Sequence, residues 1–296
     1  MRRTTGNRRD LGPRSALTRR AFLATSAGLL VAAACGGGRR DAASTGIHPK
    51  GVDAGTLSME PYVSTGPERL AFALLDDRGR YIGGAPATIQ LEPPGGAPRA
   101  TVPMTLHAEG LPAGRGVYAV DVPLPAPGVW SATIRLEGRD PTSAHFQVTT
   151  TPQVPVPGAT APSVPSPTVD HPLGVDPLCT REPACPLHRT SLADALRAGR
   201  PTAVMFATPA RCQSRYCGPV LDQLLAIRRD YEQRVALIHV EIYQNATTSE
   251  LVSTVQRWNL PGEPWLFGID RTGRIAGRLD GAMGTDEVRT LLDRIA

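Results

Sequence analysis

Residues 206–220 of this 296-residue chain read Phe-Ala-Thr-Pro-Ala-Arg-Cys-Gln-Ser-Arg-Tyr-Cys-Gly-Pro-Val. The residues just before and within the start of this stretch, 202–208, form a continuous apolar run, which is typical of a strand buried on both faces. Residues 219–231 carry apolar side chains at helical spacing. Cys212 and Cys217 are therefore expected in the turn between a buried strand and a helix N-terminus. The unpaired N–H groups and the helix dipole at such a position favour a thiolate.

The pattern around this turn predicts an α/β domain with a mixed central sheet over residues 178–296. An acidic-glycine turn at residues 270–273 joins two short apolar segments and predicts a hairpin. The expected strands are 202–208, 235–242, 265–269 and 274–279, and the expected helices are 192–198, 219–231, 249–258 and 287–295. After a first helix, the order is β-α-β-α-β-β-α.

A second motif follows about fifty residues after the cysteines and reads Gly262-Glu-Pro-Trp-Leu-Phe-Gly-Ile-Asp-Arg-Thr-Gly273. Together the two motifs resemble the thioredoxin-like superfamily, especially its membrane-anchored TlpA-type proteins, in which redox cysteines occupy this strand-to-helix turn. The resemblance covers about residues 185–296. It implies that Pro264 is cis, faces the cysteines and, with Glu263, docks substrate chains. It also implies that Cys212 and Cys217 are the catalytic pair.

The cysteine spacing departs from the family pattern, because Cys212 and Cys217 form Cys-x4-Cys rather than Cys-x-x-Cys. Val220 stands where the resolving cysteine of Cys-Gly-Pro-Cys is expected. Two assignments follow: Cys217 attacks and Cys212 resolves, or the reverse. A structural disulfide between the two is the alternative to a redox-active one, since exported proteins commonly carry such bridges. Pro219 is a natural first helical residue, which places both cysteines in the loop before the helix.

Charged residues near the pair suggest how its thiols are activated. Arg211 and Arg215 flank the cysteines and are expected to favour the thiolate. The acid often found in the preceding strand is missing, because residues 203–207 are Ala-Val-Met-Phe-Ala. Glu263 is the nearby acid by sequence and is the candidate proton acceptor.

Cys179 and Cys185 form a second local pair, followed closely by His188. A disulfide that pins the preceding segment to the domain is the favoured interpretation, ahead of a relay disulfide or a metal site with His188. Cys-x5-Cys-x2-His is not a recognised zinc spacing, and the sequence shows no evident fourth ligand. The remaining histidines, including His239, are interpreted as surface or core residues. The sequence thus predicts no metal and no cofactor.

Residues 57–150 alternate short apolar runs with turn residues and predict an all-β immunoglobulin-like sandwich. Their many prolines exclude long helices. Residues 151–177 contain eight prolines and predict a semi-rigid linker between the two domains. Residues 36–56 are small and polar, and we interpret them as a flexible tether.

The N-terminus has the features of an export signal. Arg19-Arg20-Ala-Phe-Leu resembles a twin-arginine motif and precedes an apolar run, 21–34, that is too short to span a bilayer. Ala32-Ala-Ala-Cys35 resembles a lipobox, so Cys35 is the expected lipidation site. The chain has five cysteines, and lipidation of this one leaves two local pairs. Signal-peptidase cleavage of a free secreted protein is the alternative.

The distribution of charge gives no reason to expect a polyanionic partner. The chain carries a formal charge of +5, but residues 1–34 alone hold seven arginines and one aspartate, so the remainder is close to neutral. No nucleic-acid partner is expected.

The sequence as a whole predicts an exported thiol–disulfide oxidoreductase tethered to the cell membrane by a lipid on its extracytoplasmic face. Its expected partners are protein thiols and disulfides and an unidentified redox partner. The alternative is a non-catalytic scaffold lipoprotein with a thioredoxin fold, whose cysteines form structural disulfides.

Overall fold

A computed structural model describes residues 51–59, 61–212 and 216–296. The twin-arginine motif, Cys35 and most of the predicted tether lie outside these residues, as does Arg215. In the described part of the chain, no helix has both the length and the apolar character needed to cross a bilayer.

The N-terminal half consists of eight strands. They are β1 (Val52–Thr56), β2 (Tyr62–Val63), β3 (Pro67–Asp76), β4 (Ala87–Glu92), β5 (Val102–His107), β6 (Val117–Pro123), β7 (Gly128–Leu136) and β8 (Thr142–Thr149). They form one continuous sheet in the order β1-β3-β6-β5-β4-β7-β8-β2, not two separate sheets. Strand β5 makes the join, because Val102–Met104 pair with β4 whereas Thr105–His107 pair with β6. A strand that changes partners in this way turns a corner and lets the sheet curl around its core.

The predicted tether is wrong for its last residues, because Val52–Thr56 form strand β1 and pair antiparallel with β3. Only Val52 in this strand is fully buried, so the alternation that would identify a strand in the sequence is nearly absent. Hydrogen bonding to β3, and not hydrophobic patterning, holds this segment in the sheet.

The C-terminal half has the predicted α/β order. Its elements are α1 (Leu192–Arg197), β9 (Thr202–Phe206), α2 (Cys217–Tyr231), β10 (Ala236–Val240), α3 (Ser253–Trp258), β11 (Trp265–Ile269), β12 (Ile275–Asp280) and α4 (Thr285–Ile295). The sheet order is β10-β9-β11-β12, with β10 parallel to β9 and the other two pairs antiparallel. The predicted mixed sheet is therefore confirmed. Strand β9 is buried along its whole length, as its apolar run indicated.

The proline-rich segment 151–177 packs onto the α/β half and is not a free spacer. Three of its apolar residues, Val154, Ala161 and Val175, belong to the core on the α3 side of the sheet. Its backbone bonds to the start of β12, where Gly158 N–H donates to the Ile275 carbonyl at 2.8 Å. Prolines leave the other backbone groups free to form such bonds at an edge, which the composition alone does not reveal.

The two halves share a hydrophobic core within one compact unit. On β3, Leu70, Phe72 and Leu74 face the core of the β half, whereas Ala71 faces the core of the α/β half. Ala119 of β6 lies in the same shared core. Small side chains on the outer face of these strands thus allow the α/β half to approach closely.

Candidate active site

Cys212 and Cys217 are joined by a disulfide bond at the start of α2, with 5.9 Å between their Cα atoms. Cys217 is the first residue of the helix and is completely buried, whereas Cys212 lies in the preceding loop and is partly exposed. The backbone N–H of Cys217 donates to Cys212 Sγ at 3.3 Å. Cys212 is thus the more exposed residue of the pair, and Cys217 is enclosed by the fold.

The helix begins two residues earlier than the sequence predicts, at Cys217 instead of Pro219. Proline is tolerated anywhere in the first turn, because the first N–H groups of a helix have no intrahelical acceptor. This start places Cys217 inside the first turn, where the positive end of the helix dipole stabilises a thiolate.

Glu263, the candidate proton acceptor, lies beside the cysteine pair. Its Oε2 lies 3.3 Å from Cys217 Sγ and also accepts the backbone N–H of Thr208. Burial, together with the charge of the nearby Glu241, raises the pKa of Glu263 to about 7. A carboxyl group with this pKa can exchange a proton with the Cys217 thiol near neutral pH.

The Glu263–Pro264 peptide bond is cis. Pro264 is buried, and its carbonyl accepts the N–H of Gly281 at 2.9 Å. Strand β11 starts directly after it and pairs with β9, which ends just before the cysteine loop. The sheet thereby brings the cis-proline turn to the edge that carries the disulfide.

Arg211 makes contacts that the sequence did not predict. Its guanidinium lies 4.4 Å from the ring centroid of Tyr243 and donates to the carbonyls of Asn245 and Thr248. Arg211 therefore ties the cysteine loop to the segment that follows β10.

Sequence reasoning missed a contribution from the β half. The phenol oxygens of Tyr81 and Tyr216 are in hydrogen-bond contact, and Tyr216 immediately precedes Cys217. Tyr81 follows β3 and stacks against Arg115. The isolated bridge between Leu75 and Tyr81 holds this residue in place. No local pattern links these positions in the sequence, because the contact depends on how the two halves pack.

Cys179 and Cys185 do not form the predicted disulfide. Both are buried free cysteines. They face His188 and His239, so the histidine interpreted as an isolated core residue lies beside the second cysteine pair. His239 is more than fifty residues away along the chain and joins the group through its place on β10, which sequence spacing could not indicate.

No family model matches this chain. No curated protein matches it either. Among solved structures, a DsbE-type thiol:disulfide interchange protein from Chlorobium tepidum has 14% identity and a TM-score of 0.35, and the match covers 48% of this chain and 99% of that one. A thioredoxin-family thiol:disulfide interchange protein from Chlorobium tepidum TLS has 17% identity and a TM-score of 0.31, with 48% and 96% coverage.

The Lin-41 filamin domain has 14% identity and a TM-score of 0.24, covering 34% of this chain and 93% of that one. Similarity at these levels transfers no activity, substrate or partner to the present chain.

Proposed function

We propose that this protein is a thiol–disulfide oxidoreductase that acts on protein disulfides through Cys212 and Cys217. One observation carries the proposal: a partly exposed cysteine is bonded to a buried one whose sulfur lies 3.3 Å from a carboxyl group with a pKa of about 7. A bridge that only stabilises the fold needs neither a partly exposed cysteine nor a titratable neighbour.

The exposures of the two sulfurs support an assignment of roles. Cys212 is the more exposed of the two cysteines, so Cys212 is the proposed nucleophile. Its thiolate attacks one substrate sulfur, a mixed disulfide forms, and the other substrate sulfur leaves as a thiolate. Cys217 then transfers its proton to Glu263 and attacks Cys212 Sγ.

The second attack closes the Cys212–Cys217 bond and releases the second substrate sulfur, which takes up a proton. Two electrons have passed from the enzyme dithiol to the substrate disulfide. A partner dithiol reduces the enzyme again, and the same steps run in reverse when the substrate is a dithiol. The reduction potential of the pair against its surroundings sets the direction.

We also propose that the protein is exported and anchored to the outer face of the cell membrane through a lipid on Cys35. The twin-arginine motif, the short apolar run and the lipobox-like sequence support this location. Metabolic labelling with a fatty acid, compared between the unmodified chain and Cys35→Ala, tests it. Labelling that persists in Cys35→Ala would overturn the anchor.

A redox titration tests the enzymatic proposal. The full chain is equilibrated in dithiothreitol buffers of graded potential, and the state of each cysteine is read by alkylation and mass spectrometry. We expect Cys212–Cys217 to open at a potential above about −300 mV, the value below which structural bridges are typically found. A pair that stays closed below that value is structural, and the proposal is then wrong.

Trapping with single variants tests the roles. Cys217→Ser keeps the proposed nucleophile and removes the resolving thiol, so it should accumulate mixed disulfides with a reducible substrate such as insulin. Cys212→Ser should accumulate few, and the double serine variant is the control for non-specific capture. The opposite result, with adducts on Cys212→Ser, would reverse the two roles but leave the activity.

A further inference from the structure

A second cluster of cysteine and histidine side chains lies inside the α/β half. Cys179, Cys185 and His188 come from the segment before α1, and His239 comes from β10. All four are buried, with exposed fractions of 8%, 6%, 4% and 0% in that order. One ligand atom from each lies within 4.8 Å of every other. His239 on β10 is therefore the fourth candidate ligand, which the spacing of the cysteines and His188 in the sequence did not reveal.

Four of the six distances between these atoms are close to the edges of a tetrahedral zinc site. His239 Nδ1 lies 3.2 Å from His188 Nε2, 3.4 Å from Cys185 Sγ and 3.7 Å from Cys179 Sγ. Cys185 Sγ lies 3.3 Å from His188 Nε2. With Zn–N near 2.0–2.1 Å and Zn–S near 2.3 Å, tetrahedral angles give edges of about 3.3 Å between nitrogens and about 3.6 Å between nitrogen and sulfur.

The histidine His239 is oriented as a ligand. Its Nε2 bonds to the Ala207 carbonyl at 2.9 Å, so Nε2 carries the hydrogen and the lone pair of Nδ1 points at the two sulfurs. A metal-binding histidine usually donates its other ring N–H in this way. His188 presents Nε2 to the same point, and its buried Nδ1 has no hydrogen-bond partner among the described residues. One ring nitrogen of each histidine thus lies at the same place as the two sulfurs.

Charge balance favours a divalent cation at that place. Two thiolates and two neutral imidazoles carry a charge of −2, which a divalent cation neutralises. This matters because uncompensated charge in a buried site is costly. Two soft sulfur and two nitrogen donors in tetrahedral arrangement are the donor set that zinc prefers. All four donors come from the protein, which is typical of a structural site, because a catalytic one keeps an open position.

We infer that Cys179, Cys185, His188 and His239 form a closed structural zinc site. When Zn²⁺ binds, bonds form to the two sulfurs and the two ring nitrogens, and the two thiol protons pass to solvent. No electron is transferred. The inference is independent of the proposed function, since none of the four residues belongs to the Cys212–Cys217 pair.

The zinc site supports the loop that carries Cys212. Next to Cys179, the Thr180 backbone N–H and hydroxyl both donate to Glu241, the residue two places after His239. The Thr180 hydroxyl also accepts the N–H of Ala210 at 3.1 Å. The metal therefore fixes the segment around Cys179 and Thr180, which contacts the cysteine loop through Ala210. Unlike a disulfide bond, this link cannot be opened by reducing partners.

Metal analysis of the full chain tests the inference. The protein is purified without chelator, and elemental mass spectrometry is expected to find one zinc per chain. Cobalt substitution should give the intense visible bands of a tetrahedral site with thiolate ligands. Cys179→Ser and His239→Gln should each lose the bound metal, whereas His171→Gln, at an exposed histidine, should keep it.

Two further measurements keep the test decisive if a ligand variant does not fold. The Cys212→Ser, Cys217→Ser double variant should retain its zinc, which excludes the other close grouping of Cys212, Cys217 and Glu263 as the metal site. In the unmodified chain, removal of zinc by chelator should speed alkylation of Cys179 and Cys185, and added zinc should reverse this. A Cys179–Cys185 disulfide in metal-free native protein, or zinc lost from the double serine variant, would overturn the inference.

Discussion

Arg69 of β3 donates through Nε to Glu287 Oε1 of α4 at 2.7 Å, and the two side chains are 8% and 9% exposed. The same guanidinium donates to the carbonyls of Asp280 and Ala282 at the end of β12. One side chain from the β half thus satisfies three groups of the α/β half. A buried pair of this kind leaves an uncompensated charge when one partner is removed.

Arg69→Met is therefore expected to lower the free energy of unfolding by about 3–5 kcal/mol, the usual cost of breaking a buried ion pair. Equilibrium denaturation in urea measures the change. Arg197→Met breaks an ion pair with Asp194 whose side chains are 73% and 64% exposed. This control should cost about 1 kcal/mol or less. Similar small losses for both variants would mean that the Arg69 contact does not bind the halves together.

Gly281 provides a second test of the contact between the halves. Its φ is +64°, and a Cβ at this position would lie 1.5 Å from the Leu57 carbonyl oxygen. Gly273 has a similar φ of +77° but open space around it. Gly273→Ala should cost about 1–2 kcal/mol from the left-handed backbone alone. Gly281→Ala should exceed that loss by about 1–3 kcal/mol, because the backbone of residue 57 must also move. Thermal denaturation of both variants compares them, and equal losses would contradict the packing.

Local patterns were sufficient to predict much of the α/β half. The apolar run of β9, the helical spacing after Pro219 and the turn at 270–273 each depend on neighbouring residues, and the structure contains the corresponding elements. The two motifs also placed Glu263 near the cysteines, which the 3.3 Å contact with Cys217 bears out.

The features that were missed depend on contacts between distant parts of the chain. His239 reaches Cys185 only because β10 lies at the edge of the sheet under the segment before α1. The proline-rich segment packs because the α/β half offers it a surface. One signal was available: Leu70–Leu74 form an unbroken apolar run in a strand predicted to be antiparallel, and such a run indicates that both faces are covered.

The stability of the oxidised protein should depend on pH through two carboxyl groups. Burial is the main cause that raises the pKa of Glu263 from 4.5 to about 7 and that of Asp280 from 3.8 to about 6. The folded state therefore holds these protons more tightly than the unfolded state. Their contribution is complete below the unfolded pKa values and is lost as pH rises through the folded ones. We expect the free energy of unfolding to fall between about pH 4 and 7.

Glu241 and His239 both face Glu263: the charge of Glu241 raises the pKa of Glu263 further, whereas His239 lowers it only when its ring is protonated, a form that a metal-bound histidine does not take. Glu263→Gln should remove the part of the decline that runs from pH 4.5 to about 7, and Asp280→Asn should remove the part that runs from pH 3.8 to about 6. Urea denaturation at half-unit pH steps separates the two. An unchanged profile in Glu263→Gln would show that this carboxyl group titrates at its ordinary pKa.

The same carboxyl group should control the second chemical step of the proposed exchange. Cys217 is buried and needs a proton acceptor before it can attack, and Glu263 Oε2 is within 3.3 Å. Glu263→Gln keeps the size of the side chain but cannot accept the proton. Resolution of a mixed disulfide preformed on Cys212 should slow by about 100-fold at pH 7, the lower end of what a general base contributes.

Stopped-flow mixing followed by acid quench and mass spectrometry measures the rate of this resolution step. The rate of the first attack by Cys212 in the same Glu263→Gln variant is the internal control. Equal slowing of both steps would indicate a distorted site, and no slowing of the second would exclude Glu263 as the base.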